Sequence, residues 1–390
     1  MNTEINIMTH IAIEEIENLK TPFYYYDMRV LKEILTTAKE AANKRNYHIH
    51  YAIKANNNPK IISTIQELGF GADCVSGLEI KKALKYNFKA NEICFAGVGK
   101  TDAEIEYAIS NNIFCFNVES KEEMEVIGSI ADKMDSPTRV ALRINPNIDA
   151  ATHHYITTGL EENKFGIASW KIDEVLEIIK NHKNLSIIGL HFHIGSQIMN
   201  LNIYKQLCYK VNEWNHRFLD KGYDLPILNV GGGLGINYKE PDREAIPDFE
   251  AFFRVFEENL LPRENQEIHF ELGRALVGNC GSLISRVLYI KEGKTTDVAI
   301  LDAGMTELLR PALYQASHRI DKIDSKISKE LHTYDVVGPI CESSDYFGKA
   351  VQLPKLNRGD FIAIRSAGAY GEVMASRYNL RKQFGHYYKN

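Results

Sequence analysis

Residues 48–75 read HIHYAIKANNNPKIISTIQELGFGADCV. Three patterns follow one another in this stretch. HIHYAI (48–53) is a short run of strand character that ends at Lys54. NPKIISTIQELG (58–69) spaces Ile61, Ile62, Ile65 and Leu68 along one helical face, with Gly69 as a stop. FGADCV (70–75) is a second short, buried-type strand. Strand, helix and strand in such close succession predict a parallel pair joined by a helical crossover.

The alternation continues outward from there. Further strands are expected at ICFAG (93–97), FCFNV (114–118), RVALRIN (139–145), IIGLHFHI (187–194), PILNVG (226–231) and IHFEL (268–272). Amphipathic segments lie between them, as in KIDEVLEIIKNH, where Ile172, Val175, Leu176 and Ile179 share a face. Eight strand–helix units predict an α/β protein built on a closed (β/α)8 TIM barrel, over residues 30–272. After about residue 275 the texture changes. VGNCGSLISRVLYIKEG, TDVAILDAG, KAVQLPKL and DFIAIRSAGAY read as strands between Gly, Pro and Asp turns. A C-terminal β-rich domain is expected over 273–390, joined by residues 1–29 with their TPFYYYD run.

The chain of 390 residues has 44 % hydrophobic and 25 % charged residues, ordinary for a protein with a real core. With 46 Lys+Arg against 51 Asp+Glu, the net charge is −5. That mild acidity argues against nucleic acid or an anionic membrane as the main partner. The N-terminus carries Glu residues and lacks the pattern of a signal peptide, and no run reaches about 18 apolar residues. The six cysteines are scattered without a CxxC pair, which points to a reduced, cytoplasmic chain without a thiolate zinc site.

Active sites of such barrels sit where the strands end. Lys54 follows strand one, and Asp73 and Ser76 close strand two. Arg143 and Asn145 end strand five. His191, His193, Gly195 and Ser196 end strand six. GGGLG (231–235) follows strand seven, and Glu271, Gly273 and Arg274 end strand eight. Chemically capable residues thus gather at one face of one object.

Each motif has a bland reading beside its functional one. GGGLG fits a phosphate cradle before a helix N-terminus, or a mere tight turn; it lacks the Gly-Lys-Ser/Thr ending of a P-loop. HFHIG (191–195) puts two histidines on one side of a strand, as metal ligands, as an aromatic platform, or as satisfied core residues; no metal is expected there. In FELGR (270–274), Glu271 suits a protonated ring nitrogen and Arg274 an anion, unless they pair with each other. Arg310 and Tyr314 lie four apart in LLRPALYQASH (308–318). Cys341 beside Glu342 in CESSDYF suits a proton donor better than a thiolate, and otherwise is a small buried residue. AGAYG (367–371) offers Tyr370 in a glycine-flexed turn. Together, a strand-end lysine, a glycine cradle, a glutamate for a ring nitrogen and a histidine able to stack are the contacts that pyridoxal 5'-phosphate needs.

In order, YAIKAN, DCVSGLE, HFHIGSQ, GGGLG, ELGR, RPALY, CESSD and GAYG resemble the fold-type III pyridoxal-phosphate decarboxylases, from about residue 20 to about 380. RPALYQASH and CESSDYF tilt the resemblance towards the branch acting on diaminopimelate rather than ornithine. The resemblance implies a head-to-tail homodimer with shared active sites. It implies that Lys54 carries the cofactor, that His193 stacks on its ring, and that Glu271 pairs with its ring nitrogen. Asp73, Arg143, Ser196, Gly233, Gly235, Gly273, Arg274 and Tyr370 would complete the cofactor site. Arg274, Arg310, Tyr314, Glu342 and Tyr370 would bind substrate. Cys341 and Glu342 would come from the partner subunit, with Cys341 as proton donor. HHYITTGLEENKFG (153–166) matches the family's mobile active-site loop. The expected reaction is loss of CO2 from the D-centre of meso-2,6-diaminopimelate, giving L-lysine. Leu272 stands where the family has Pro, without removing a contacting side chain. The alternatives are carboxynorspermidine, ornithine or arginine decarboxylases, an alanine-racemase-like enzyme, a non-catalytic cofactor carrier, and a metal-dependent barrel hydrolase around His191 and His193.

Overall fold

The computed structural model describes residues 11, 13–148, 164–323 and 330–390. They fall into two compact units. One comprises Leu35–Gly235 and Asp248–Gly273; the other comprises Met1–Ile34, Ile236–Pro247 and Arg274–Asn390. Residues 236–247, read in sequence as part of the barrel, therefore group with the β-rich unit.

The first unit contains a closed barrel of eight parallel strands in sequence order. They are Tyr47–Ala52, Gly71–Cys74, Ile93–Phe95, Cys115–Val118, Thr138–Arg143, Leu185–His191, Ile227–Asn229 and Glu267–Leu272. The last strand closes on the first, with Tyr47 opposite Ile268 and Tyr51 opposite Leu272. Local chemistry starts the helices between them. The Asn58 side chain accepts from the Lys60 N–H, and Pro59 opens helix Pro59–Glu67, which buries Ile61, Ile62 and Ile65. Ser76 and Ser120 cap two later helices, and Thr101 with Glu104 forms a capping box at a third.

Strand eight shows how side-chain alternation divides core from site. Phe270 faces outward, its ring 4.9 Å from those of Phe253 and Phe256 on helix Phe249–Asn259. Burial of such a ring contributes about 2–3 kcal/mol. His269 and Glu271, on either side of it, point into the barrel and bond residues of other strands. The outer faces thus supply packing, and the interior is left for polar groups.

The second unit holds an eight-stranded sheet. Its path runs Ile320–Ile323, Phe361–Ile364, Gly281–Lys291, Asp297–Leu301, Leu331–Val337, Tyr346–Pro354. Phe23–Asp27, from TPFYYYD, pairs antiparallel with Gly281–Lys291 and parallel with Gly385–Lys389. Three of these strands, Ile320–Ile323, Leu331–Val337 and Gly385–Lys389, were not expected from the sequence. Each is rich in charged or polar residues (IDKI, LHTYDVV, GHYYK) and owes its place to long-range pairing. Among the described residues no helix is long and apolar enough to cross a membrane.

Candidate active site

Strand one ends at Ala52, and Ile53–Ala55 make a single 3-10 turn. From this turn the Lys54 amine donates to Asp73 Oδ2 at 2.9 Å. Asp73 sits on the neighbouring strand and is fully buried. Burial raises its carboxyl pKa, while the Lys54 ammonium opposes the rise. Its other oxygen is buried without a hydrogen-bond partner.

Glu271 lies at the centre of the barrel mouth. Its Oε1 accepts from the side-chain amides of Asn117 and Asn229, each at 2.8 Å. His191 Nε2 is 2.9 Å from Oε2. Burial pushes this carboxyl up, but His191, then Lys54 and His193, outweigh it and hold the group well below the usual carboxylate range. Three donors occupy three of its roughly four acceptor positions, so one remains. A carboxylate only accepts, so His191 carries its proton on Nε2; its Nδ1 is buried with no partner.

The expectation of two strand-borne histidines facing one way is corrected here. The strand ends at His191, and His193 stands in the loop beyond it. There the Gly232 N–H donates to His193 Nδ1 at 3.4 Å. Burial, then the Arg143 and Lys54 charges, hold the His193 ring well below its ordinary pKa, so the ring is neutral. His191 does have a carboxylate neighbour, Glu271, which the spacing did not reveal.

GGGLG is not followed by a helix, contrary to expectation; the next helix begins at Phe249. Instead Leu234 pairs with Ile198 in an isolated parallel bridge, and the Gly233 carbonyl accepts from the Ile198 N–H at 2.9 Å. Two strand-end loops therefore run side by side, one carrying Ser196 and the other Gly233 and Gly235. Gly231 and Gly233 have φ of 72° and 96°. A Cβ at Gly232 would strike the Glu271 carbonyl. Backbone packs this tightly only where side chains are absent. The cradle thus offers backbone groups close to Glu271.

Arg143, at the end of strand five, bonds Glu119 Oε1 at 2.6 Å and lies over the Phe165 ring at 4.7 Å. The Gly166 N–H donates to Glu119 Oε2 at 2.9 Å. Residues 153–163 of the expected loop lie outside the described residues. Gly273, buried, ends the barrel unit.

The β-rich unit gathers a second set. Arg274 Nη1 donates to the Tyr238 hydroxyl at 2.5 Å, and its guanidinium lies 4.9 Å from the Tyr370 ring. Tyr370 has a φ of 55°, a left-handed backbone that a bulky residue adopts only when its surroundings impose it. Arg310 begins helix Arg310–Tyr314 and is 5 % exposed. Its Nη1 donates to His318 Nε2 at 2.7 Å, and its guanidinium lies 4.6 Å from the Tyr238 ring. His318 Nδ1 in turn donates to the Arg365 carbonyl at 2.7 Å. Burial, then the Arg310 charge, lowers the His318 pKa to about 3. A neutral histidine thus orients a buried arginine. Tyr314, at the other end of the short helix, is partly exposed.

Cys341 and Glu342 occupy an exposed turn. Glu342 accepts from the Tyr378 hydroxyl at 2.6 Å, and the Cys341 N–H donates to Asn379 Oδ1 at 3.1 Å. Asp345 anchors the turn, its two oxygens taking the N–H groups of Met305 and Ile340 at 2.6 Å each. All six cysteines are described, and Cys341 alone is exposed.

Sequence reasoning missed Asn117, Asn229, Glu119, Tyr238, His318 and Asp345 as parts of these sets. For Asn117 and Asn229 the available signal was an amide inside an otherwise apolar strand. For His318 it was the close of the RPALYQASH motif.

Comparison with known proteins shows the family of the chain. Residues 29–278 match the family model described as pyridoxal-dependent decarboxylase, pyridoxal binding domain. The diaminopimelate decarboxylase of Bacteroides thetaiotaomicron is 53 % identical over 371 residues, 95 % of this chain and 96 % of that protein. The crystal structure of the Helicobacter pylori diaminopimelate decarboxylase complexed with L-lysine is 42 % identical, with a TM-score of 0.91 over 97 % of this chain and 93 % of that one. The Aquifex aeolicus diaminopimelate decarboxylase is 38 % identical over 95 % of this chain and 87 % of its own. The chain belongs to the pyridoxal-dependent decarboxylases, in the diaminopimelate decarboxylase family.

Proposed function

We propose that this protein removes the carboxylate at the D-centre of meso-2,6-diaminopimelate, yielding CO2 and L-lysine, the closing step of lysine biosynthesis. The observation that carries the reaction type is the Glu271 carboxylate, buried yet held ionised, with one acceptor position left. The barrel residues fit pyridoxal phosphate: a strand-end amine, a neutral imidazole, this carboxylate, and a cradle that any Cβ would fill. When bound, pyridoxal phosphate supplies an electron sink for the pair left by a departing carboxylate.

This chain's residues take the remaining tasks. Lys54 is the attachment amine, and Asp73 orients it while it is free of the cofactor. Glu271 keeps a pyridine nitrogen protonated. Neutral His193 gives the ring a stacking face that adds no charge. Gly233, Gly235, Gly273, Ser196 and Arg274 receive the phosphate, with Arg143 and Tyr370 beside the cofactor. At the far end of the substrate, Arg310, with Arg274 and Tyr314, takes the carboxylate, and Glu342 takes the ammonium. A diamine-forming decarboxylase needs the acid there but no buried arginine, so Arg310 favours diaminopimelate. Cys341 delivers the proton to the α-carbon. Its exposure suits a thiol that serves a partner subunit, and the working form is a cytoplasmic homodimer with Cys341 and Glu342 crossing over.

The test is an absorbance spectrum of the purified protein, then meso-diaminopimelate with lysine detection. A visible band from lysine-bound cofactor plus lysine formation is expected. A band without lysine moves the substrate to carboxynorspermidine or ornithine. No band after adding pyridoxal phosphate refutes Lys54 as the attachment residue. In Cys341→Ala, turnover should fall about a hundredfold or more with the band intact; equal loss of both contradicts the donor role.

A further inference from the structure

The barrel carries a second cluster of chemically capable side chains, at the end opposite Lys54 and Glu271. His48 stands near the start of strand one, and Glu267 and His269 near the start of strand eight. His269 is directly opposite His48 in the ladder, and Glu267 shares its face two residues earlier. His269 Nε2 lies 3.1 Å from Glu267 Oε2, and His48 Nε2 lies 3.9 Å from the same oxygen. One ligand atom from each of the three falls within 4.8 Å of the others.

His269 is also held from behind. Its Nδ1 lies 2.8 Å from Nε2 of the buried His50 ring, whose Nδ1 is in turn 3.0 Å from the Glu92 carbonyl. A histidine fixed through Nδ1 by a buried neighbour while its Nε2 faces a carboxylate and a second imidazole has the outer-shell arrangement of a metal ligand.

We infer that His48, Glu267 and His269 bind a borderline divalent transition metal, Zn2+ being the best match, at the face of the barrel away from the cofactor. Zn–N and Zn–O bonds of about 2.0–2.2 Å set tetrahedral ligand atoms roughly 3.4 Å apart. The separations of 3.1 and 3.9 Å bracket that value. Two imidazoles and one carboxylate suit Zn2+ better than Mg2+ or Ca2+. His269 is nearly buried and fixed, whereas the side chains of His48 and Glu267 are 44 % and 49 % exposed. His48, now stacked on His269 at 4.7 Å between centroids, has room to turn its ring plane towards the ion. Water completes the fourth position from the open side. The metal joins the first barrel strand to the last, and so staples the seam where the barrel closes.

The test uses the cofactor-loaded protein, stripped with a chelator and titrated with Zn2+, alongside His48→Ala and Glu267→Gln. Both positions are half-exposed, and decarboxylase activity confirms that the variants fold. Wild type should bind one more Zn2+ per chain than either variant, and saturating Zn2+ should raise its Tm by about 3 °C or more. Either variant should lose at least about tenfold in affinity. Co2+ in place of Zn2+ should give a visible tetrahedral spectrum that both variants lack. Unchanged turnover with and without Zn2+ supports a site separate from catalysis. Equal stoichiometry and Tm shift in all three proteins overturn the proposal, as does an absence of Zn2+ binding by wild type; in that case the three side chains form an ordinary hydrogen-bonded cluster.

Discussion

The barrel and the β-rich unit hold buried charge in opposite ways. In the barrel, the Glu271 carboxylate is surrounded by two amides and an imidazole N–H. In the β-rich unit, the Arg310 guanidinium rests on a neutral imidazole and a phenol ring. Glu271 has cationic side chains close by and keeps one acceptor position open, whereas Arg310 rests on a neutral imidazole with its charge unpaired by that partner. Burial strengthens both charges because little water screens them. The barrel set thus offers a buried anion, and the β-rich set a buried cation.

The largest effect should come from removing the amine on the barrel side. Lys54→Ala is expected to lower turnover by at least about a thousandfold and to abolish the cofactor's lysine-bound absorbance band. Substantial turnover would mean that the strand-end lysine is only Asp73's counter-ion. On the other side, Arg310→Ala should raise KM for diaminopimelate by roughly 10–100-fold, the worth of a charged hydrogen-bonded contact, with a smaller change in kcat. An unchanged KM places the distal carboxylate elsewhere. His318→Gln sharpens the same comparison. If the imidazole only orients Arg310, this variant should raise KM less than Arg310→Ala does.

A smaller effect is expected from the neutral donors that hold the barrel's anion. Asn117→Leu or Asn229→Leu removes one amide bond to Glu271 Oε1, and kcat should fall about tenfold. The acid limb of the pH–rate profile should move upward as Glu271 becomes easier to protonate. A profile identical to wild type would show that His191 alone fixes the carboxylate.

The smallest effect is one of stability. His50 and His318 have folded pKa values of about 3, below the unfolded value of about 6.5. Their neutral forms are favoured in the fold, so the unfolded chain binds more protons between pH 3 and 6.5. Stability is therefore full above about pH 6.5 and declines as pH falls towards 3. Each histidine should contribute about 0.7 kcal/mol of loss between pH 7 and 6. Denaturant midpoints at the two pH values measure it, and a flat response would mean that both rings are already charged or exposed.

How much of this was legible in the sequence differs between the two regions for one reason, the range of the interactions. Each barrel unit buries its apolar faces against its own neighbours in sequence, so short periodic runs such as HIHYAI, NPKIISTIQELG and FGADCV identified all eight strands and their order. Lys54, Asp73 and Glu271 stood out because polar residues closed those runs. The location of His193 did not. A boundary shift of three residues moved it from the strand into the following loop, where the side-chain alternation no longer applies. In the β-rich unit, the strand Leu331–Val337 is partly polar and gains its place from ladders to Asp297–Leu301 and Tyr346–Pro354. No local pattern announced it.

By itself, then, the sequence determined the strand–helix alternation, the order of the barrel strands and the residue types gathered at their ends, because hydrophobic periodicity and capping act over a few neighbouring residues. Only the tertiary structure decided which groups meet across long distances. It turned Asn117 and Asn229 onto Glu271, set His318 against Arg310, and brought His48 to His269 at the barrel seam. Those pairings depend on closure of the barrel and on sheet register, which fix partners eight to 221 residues apart. No single segment of the chain carries that information.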